Sequence, residues 1–295
     1  MGDTSAGAAF EKARPRLLGL AYRILGSRAD AEDAVQDTYL KWRTADHATI
    51  EGADAWLTTA CTRRCIDLLR SAHRSRTEYV GSWLPEPVLT PDEDTPEVRL
   101  SLSSSLTTAF LLLLERLTPK ERAAYLLHEI FDMPYGDVAA TLDMQEPACR
   151  KLVSRAKSRV DAAQVRHVTP ASAQRRLLAA FQSAIASGNP TVLAGLLSQQ
   201  VELSADGGGK VSALAHVLHG ESDVLSFISK DLHQYWSEYE WDITGVNGSG
   251  GIVLRKEGHA MVAVSFSYDA EGLANGIYIV RNPDKLARPD GAFVA

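Results

Sequence analysis

Apolar residues recur at helical spacing through the first half of the chain and give way to alternating patterns in its last third. In "AWLTTACTRRCIDLLRSAHRSR", Trp56, Leu57, Ala60, Cys61, Leu68 and Leu69 fall at the intervals that place one stripe of a helix against a neighbour. The preceding "SRADAEDAVQDTYLKW" predicts a helix capped by Ser27, with Asp30 three residues on and Ala34, Tyr39 and Leu40 set among acids that suit its first turns. Across the loop "ADHATIEGAD" the two helices are expected to pack face to face.

The periodicity breaks over residues 77 to 100, where Pro85, Pro87, Pro91 and Pro96 stand among six acids, predicting an extended linker. It returns at "LSSSLTTAFLLLLERL". "TPKERAAYLLHEIF" then opens with Thr118 as N-cap, Pro119 in the first helical position and Glu121 closing a capping box. Next, "MPYGDVAATLDMQEPACRKLVSRAKSRV" predicts a short helix, a tight turn over Leu142 to Met144, and a second helix with Ala148, Leu152, Ala156 and Val160 on one face. That is the pattern of a helix-turn-helix.

From about residue 170 two helical stretches, "AQRRLLAAFQSAIASGN" and "PTVLAGLLSQ", precede glycine-punctuated apolar runs: "VELSA", "KVSALAHVL", "WDITGV", "GIVLRKEG", "HAMVAVSFSYD" and "LANGIYIVR". Short strands at this spacing predict a curved antiparallel sheet wrapped on helices. "SADGGGKV" invites comparison with a phosphate-binding loop. The pattern G-x-x-x-x-G-K-[ST] fails at both ends, with Ser204 in the first glycine position and Val211 after Lys210. A glycine hairpin between "VELSA" and "KVSAL" is the expectation.

Composition narrows the class. A chain of 295 residues, 45% hydrophobic, is long enough for two or three compact units. No stretch predicts a membrane span or a signal-peptide core, and Cys61, Cys65 and Cys149 are too few for a disulfide framework. A soluble, cytoplasmic protein is expected, with the cysteines as small buried hydrophobes rather than metal ligands. Net charge is −6, yet the acid is concentrated in residues 81 to 100 and beyond 166. The helical parts are close to neutral, and bulk electrostatics alone would not bring the chain to nucleic acid.

Local charge says more. The second helix of the helix-turn-helix offers Arg150, Lys151, Ser154, Arg155, Lys157 and Arg159 to phosphates or base edges. The earlier helix carries Trp56 with Arg63, Arg64, Arg70, Arg74 and Arg76, a combination suited to an unpaired strand: cations track its backbone and ring faces stack on its bases.

"DAEDAVQDTYLKW", "AWLTTACTRRCIDLLR", a proline-rich acidic linker, "LTPKERAAYLLHEIFDMPYGDVAATL" and "ACRKLVSRAKSRV", in this order, resemble region 2 and region 4 of an extracytoplasmic-function sigma factor of bacterial RNA polymerase. The resemblance covers about residues 9 to 166. It implies that a large basic holoenzyme, rather than this chain alone, brings it to DNA. It further implies that Asp30, Glu32, Asp33 and Asp37 bind the coiled coil of the polymerase β′ subunit. The loop from Thr44 to Asp54 and the helix after it, with Trp56, Arg63, Arg64 and Arg70, would open the minus-10 promoter element and pocket a flipped base. Arg150, Lys151, Ser154 and Arg155 would read the minus-35 element in the major groove. Two departures stand out: Asp143 occupies a turn position where glycine is common, and Gln145-Glu146-Pro147 replaces the usual Ser or Thr cap.

The last 130 or so residues resemble a SnoaL-like domain, the cone-shaped α+β fold of small cyclases and isomerases. "WLPEP" (Trp83, Leu84, Pro85, Glu86, Pro87), "DGGGK" (Asp206, Gly207, Gly208, Gly209, Lys210) and "NPDKL" (Asn282, Pro283, Asp284, Lys285, Leu286) resemble the signatures of one sigma subgroup, in which the fused domain acts as a built-in regulator in place of a separate anti-sigma protein. A bulky aromatic among rigid prolines in a solvated linker itself points to a docking contact. Glu86 is the partner expected for Lys210.

The expected architecture is therefore multidomain. Sigma region 2 spans 1–76, a linker 77–100, an all-α region 4 helix-turn-helix 101–166, and an α+β SnoaL-like domain with a curved antiparallel sheet 170–295. No cofactor, metal or catalysis is expected. A rival reading makes the tail cone a small-ligand sensor or a fused cyclase-like enzyme, with Asp206, His216, His219, Asp223, His233, Asp242 and His259 as its available acids and bases.

Overall fold

The computed structural model describes residues 2–77, 79–90, 105–162 and 169–287, with side chains from residue 6 onward and not for 72–77. Arg74 and Arg76 thus lie outside the described side chains, and Pro91 and Pro96 outside the described residues. The chain divides into two compact units: residues 2–77 with 113–162, and 79–90 with 105–112 and 169–287.

The first unit is all-helical. α1 (Gly2–Leu25), α2 (Arg28–Arg43) and α3 (Ala53–Thr77) enclose Leu17, Leu20, Tyr22, Ala31, Leu57, Cys61 and Cys65. The Ser27 hydroxyl accepts the Asp30 backbone N–H at 3.2 Å, as a Ser cap should. On α2 the inward residues are Ala31, Ala34, Val35, Thr38 and Trp42, whereas Leu40, expected among the apolar contacts, is half exposed. The three cysteines are free and buried; burial raises the Cys65 thiol pKa and keeps it protonated.

α4 (Thr108–Leu114) and α5 (Pro119–Tyr125) follow, and a π-turn over Leu126–Ile130 prolongs α5. The capping box is complete. Glu121 N–H donates to the Thr118 hydroxyl, and the Glu121 carboxylate takes the Thr118 N–H at 2.9 Å. α6 (Tyr135–Thr141) and α7 (Glu146–Ala162) form the helix-turn-helix. Asp143 adopts φ +52 after α6, and Met144 N–H reaches back to the Ala139 carbonyl at 3.0 Å. α7 turns Cys149, Val153, Ala156 and Val160 inward, so the expected stripe is rotated: Ala148 is exposed and Leu152 half-buried.

The second unit is α+β. Strands β1 (Leu89–Thr90), β2 (Leu197–Asp206), β3 (Leu218–His219), β4 (Glu240–Val246), β5 (Ser249–Lys256), β6 (His259–Tyr268) and β7 (Ala274–Val280) make one sheet ordered β1-β4-β5-β6-β7-β2-β3. It is mixed rather than purely antiparallel, because β2 runs parallel to β7. The Asn247-Gly248 turn joins β4 to β5, both residues at positive φ, as a tight hairpin requires.

α8 (Ala171–Ser187), the single turn α9 (Thr191–Ala194), α10 (Glu221–Phe227) and α11 (His233–Trp236) cover one face of the sheet. "PTVLAGLLSQ" yields only that turn before β2 begins. "KVSALAHVL" is mostly loop, so "DGGGK" does not close a two-stranded hairpin there. The helical stretch from Glu221 to Trp236 has no counterpart in the strand pattern expected from sequence. Phe181, Trp236 and Phe266 are buried between helices and sheet, with the Phe181 and Phe266 rings edge to face at 5.3 Å. A short α12 (Pro283–Leu286) ends the described chain, and Asn282 caps it by accepting the Asp284 N–H at 3.0 Å.

Candidate functional site

In the second unit the three short motifs converge on Asp206, at the end of β2. Its side chain is fully buried yet ionisable, which is tolerable only with its acceptor sites satisfied. Oδ1 accepts from the Tyr79 hydroxyl at 2.6 Å and the Gly208 N–H at 2.9 Å; Oδ2 accepts from the Leu84 N–H at 2.9 Å and Lys285 Nζ at 2.7 Å. Lys285 Nζ also donates to the Leu84 carbonyl and sits 4.4 Å from the centroid of the Trp83 ring and 5.2 Å from that of Tyr79. Burial, then the hydrogen bond to Asp206, raises the Tyr79 phenol pKa and keeps it a donor.

Leu84 packs with Ala263, Val280 and Leu286 on the sheet face opposite the helices, joined by Leu112 and Tyr278. Burying a leucine such as Leu84 contributes about 2 kcal/mol. Pro85, Glu86 and Pro87 are buried as well. The glycines explain themselves by proximity. A Cβ on Gly208, at φ +61, would lie 2.2 Å from Asn282 Nδ2, and one on Gly209 would press on Val80 at 3.2 Å. The Gly207 carbonyl accepts the Lys210 and Val211 N–H groups, closing the turn.

Lys210 does not meet Glu86: its Nζ pairs with both oxygens of Asp284, at 2.6 and 2.8 Å. The side chains aligned by sequence reasoning are thus exchanged, with the lysine of "NPDKL" buried on Asp206 and the lysine of "DGGGK" at the solvated rim. Pro283 occupies the first turn of α12.

Two further linker contacts, and one from Thr108 of α4 beyond the linker, were not anticipated. β1 adds the linker to the edge of β4, Leu89 opposite Val246 and Thr90 opposite Gly245, where a Cβ would lie 2.2 Å from the Thr90 carbonyl oxygen. Val88 N–H donates to Asn247 Oδ1 at 3.0 Å and its carbonyl takes the Asn247 N–H at 2.8 Å. The Thr108 and Ser265 hydroxyls are 2.7 Å apart in the interior. The one legible signal was "GVNGSGG", a hairpin turn too glycine-rich for its strand ends.

In the first unit, Asp30 opens α2, Glu32 pairs with Arg28 at 2.9 Å and Asp33 is exposed. Asp37 pairs with Arg64 at 2.7 Å, joining one residue expected at the polymerase to one expected at DNA. Trp56 is half-buried with its ring centroid 5.3 Å from that of Trp42; Arg70 is exposed, 3.6 Å from Asp67. Arg63 Nε donates to the Thr141 carbonyl at 2.9 Å and Nη2 to that of Ala140 at 3.0 Å.

On α7, Arg150, Lys151, Ser154 and Arg155 are all exposed. Arg150 donates to Glu146 through Nε at 3.0 Å and Nη2 at 2.6 Å, and lies 4.4 Å from the Tyr135 ring centroid, itself stacked on His128 at 3.8 Å. Lys157 pairs with Glu129, which raises its pKa, and Arg159 pairs with Glu121. The exposed cationic face is narrower than the count of basic residues suggested.

The tail's acids and bases do not assemble. His219 pairs with Glu202, Asp242 with Arg255, and His233 Nδ1 faces the Ile185 carbonyl. An open groove of about 300 Å³ lined by Val211, His259, Met261, Arg281 and Pro283 lies beside α12, outside the helix-covered core. Among the described residues no group of acidic, histidine and cysteine side chains is placed to hold a metal, and no helix is long and apolar enough to cross a membrane.

A compact three-helix unit followed by a basic helix-turn-helix is the architecture of a bacterial sigma factor. Sigma-70 region 2 matches residues 9–75 and Sigma-70 region 4 matches residues 107–160. The chain is 36% identical over 229 residues to the ECF RNA polymerase sigma factor SigJ of Mycobacterium tuberculosis, covering 77% of this chain and 73% of that one. It is 31% identical over 196 residues to the probable ECF sigma factor SigI of the same species, covering 66% and 67%. The crystal structure of M. tuberculosis SigJ superposes with a TM-score of 0.73 at 30% identity over 95% of this chain and 98% of that one, so the α+β tail is shared too. The chain belongs to the extracytoplasmic-function sigma factors of RNA polymerase, proteins that bind the polymerase core and recognise promoters.

Proposed function

We propose that this sigma factor is modulated in cis by its α+β tail, which holds the linker between regions 2 and 4. The observation that carries the reading is the Asp206–Lys285 pair: a buried ion pair that also hydrogen-bonds Tyr79 and Leu84 of the linker. A tail with no part in transcription would gain nothing from burying a charge pair on that segment. Because linker and tail share one chain, their effective concentration is high, and modest contacts suffice to bias the conformations of regions 2 and 4.

Within this reading, Asp30, Glu32, Asp33 and Asp37 face the β′ coiled coil. Trp56, Arg63, Arg64 and Arg70 serve promoter opening, and Arg150, Lys151, Ser154 and Arg155 read the minus-35 element. No separate anti-sigma protein is needed. The packed core around Phe181, Trp236 and Phe266 gives the ligand-sensing and enzymatic alternatives no support. The test is in vitro transcription from one cognate promoter with full-length protein and variants that disrupt the pair, Asp206→Asn and Lys285→Met. Transcript levels and promoter preference that match the wild type in both variants overturn the proposal.

A further inference from the structure

Among the exposed cations of α7, Arg150 is braced and its neighbours are not. Its Nε and Nη2 both donate to one oxygen of Glu146, at 3.0 and 2.6 Å, and its guanidinium carbon lies 4.4 Å from the centroid of the Tyr135 ring. Lys151 and Arg155 are exposed, and no ion pair holds either of them among the described residues. A long cationic side chain on a helix surface ordinarily samples many rotamers. This one is confined by a carboxylate at its edge and a ring beneath its plane.

Each part of the brace is itself fixed. Tyr135 opens α6 and stacks on His128 with ring centroids 3.8 Å apart and planes 29° from parallel, while His128 Nδ1 lies 2.9 Å from the Met133 carbonyl oxygen. His128 is carried by the π-turn over Leu126–Ile130, an irregularity frequent at functional sites. Glu146 stands in the first turn of α7, where the helix dipole favours an acid, and a Cβ on Gly136 would come 3.5 Å from its Oε2, so the carboxylate also lies against α6. An exposed ion pair adds little to stability, and an acid on a helix that meets phosphates opposes binding. The stack of His128, Tyr135, Arg150 and Glu146 therefore needs a reason other than stability or bulk attraction.

A guanidinium offers two edges for paired hydrogen bonds. Glu146 takes the Nε–Nη2 edge of Arg150, which leaves the Nη1–Nη2 edge, with Nη1 unpartnered among the described residues. Two parallel N–H groups on that edge match O6 and N7 of guanine, because no other base presents two acceptors side by side in the major groove. Ordering the side chain beforehand removes that cost from the binding step, and a lysine, as a flexible point charge, gains no such advantage.

We infer that Glu146 and Tyr135 are positioning residues for promoter recognition: they hold Arg150 for end-on contact with one guanine of the minus-35 element and so set specificity at that base pair. Lys151, unbraced, supplies a phosphate contact that carries affinity without sequence. The negative charge of Glu146 has a second effect, offsetting that of Arg150, so that the pair adds discrimination with little non-specific attraction. The inference rests on the assignment of α7 to the minus-35 element, but not on the linker contacts.

The test uses holoenzyme reconstituted from core polymerase and the full chain, offered a promoter library randomised across the minus-35 element, with the selected sequences then ranked in competition against single-base variants. The wild type should favour guanine at one position at least tenfold. Arg150→Lys, which keeps the charge and loses the fork, should flatten that position alone, as should Glu146→Ala and Tyr135→Leu, whereas Tyr135→Phe keeps the ring and the preference. Glu146→Ala should also bind non-promoter duplex more tightly than the wild type while discriminating less, which loss of a merely structural helix pair would not produce. A guanine preference that survives in Arg150→Lys or Glu146→Ala, or one that weakens evenly at all positions, overturns the inference. The assignment of α7 is checked separately by Lys151→Ala, which should weaken binding equally for all sequences and lower the salt slope by about one phosphate. A wild type indifferent to every minus-35 base, together with unimpaired binding by Lys151→Ala, removes that assignment and the inference with it.

Discussion

Replacing Asp206 by Asn removes one charge and almost no volume, and the geometry fixes why this is costly. All four partners of the carboxylate act as donors, two on each oxygen: Tyr79 Oη and Gly208 N on Oδ1, Leu84 N and Lys285 Nζ on Oδ2. Whichever oxygen becomes an amide NH₂ faces two donors, and Lys285 is left buried without a counter-charge. Breaking a buried pair from one side costs about 3–5 kcal/mol. The share that falls on linker docking is two charge-assisted hydrogen bonds, together about 3 kcal/mol, or roughly a hundredfold shift toward the released linker. Hydrogen exchange reads this directly. Amides of residues 79–90, Leu84 above all, should lose protection in Asp206→Asn while those of α8 and β5 keep theirs. Raising the pH weakens docking in the same way. The Tyr79 pKa is raised in the docked state, so its contribution is complete below about pH 10 and is lost as the pH climbs toward the docked-state value. Tyr79→Phe should remove that alkaline dependence. Unchanged protection at Leu84 in Asp206→Asn would refute the reasoning, because it would mean the linker is held without this carboxylate.

Gly245→Ala should detach the Leu89–Thr90 strand alone, since the new methyl meets the Thr90 carbonyl; exchange should rise at residues 88–90 and not at Leu84. Tyr135→Leu removes the ring beneath Arg150, and selection from a randomised minus-35 library should show weakened preference at one base position with an unaltered salt dependence of binding. Asp143→Gly should raise thermal stability by up to about 1 kcal/mol by relieving a left-handed turn position, read as an upward Tm shift. Burial pushes the Glu121 pKa up, but the Thr118 hydrogen bonds and Arg159 outweigh it and hold the value low. Its contribution is therefore present above the ordinary glutamate range and lost as pH falls through the folded value. Glu121→Gln should flatten the acid limb of a stability–pH curve.

Much of the molecule follows from local chemistry. Ser27, Thr118, Pro119 and Glu121 cap helices in the structure as their side chains dictate, because an N-cap is satisfied within three or four residues. The helix-turn-helix and the strands β4 to β7 are equally legible: a buried face imposes a period on the residues that build it. Where two registers compete the reading slips. The inward stripe of α7 is rotated by one residue from Ala148 to Cys149, and the stretch from Glu221 to Trp236 passes unseen because its apolar positions are interrupted by a π-turn.

What tertiary structure alone decided is which side chain meets which. Sequence order brings "WLPEP", "DGGGK" and "NPDKL" into question together, since prolines, glycines and an exposed-looking tryptophan are costly without a partner. It cannot choose between Lys210 and Lys285 for the buried carboxylate, because that choice depends on where α12 turns after β7 and on the parallel pairing of β2 with β7. Nor does a helix pattern reveal that Arg63 rests on carbonyls 77 and 78 residues away. Periodicity and capping are properties of one segment and are written in it; ion pairs and helix-end contacts between distant segments depend on the free energy of the whole packing.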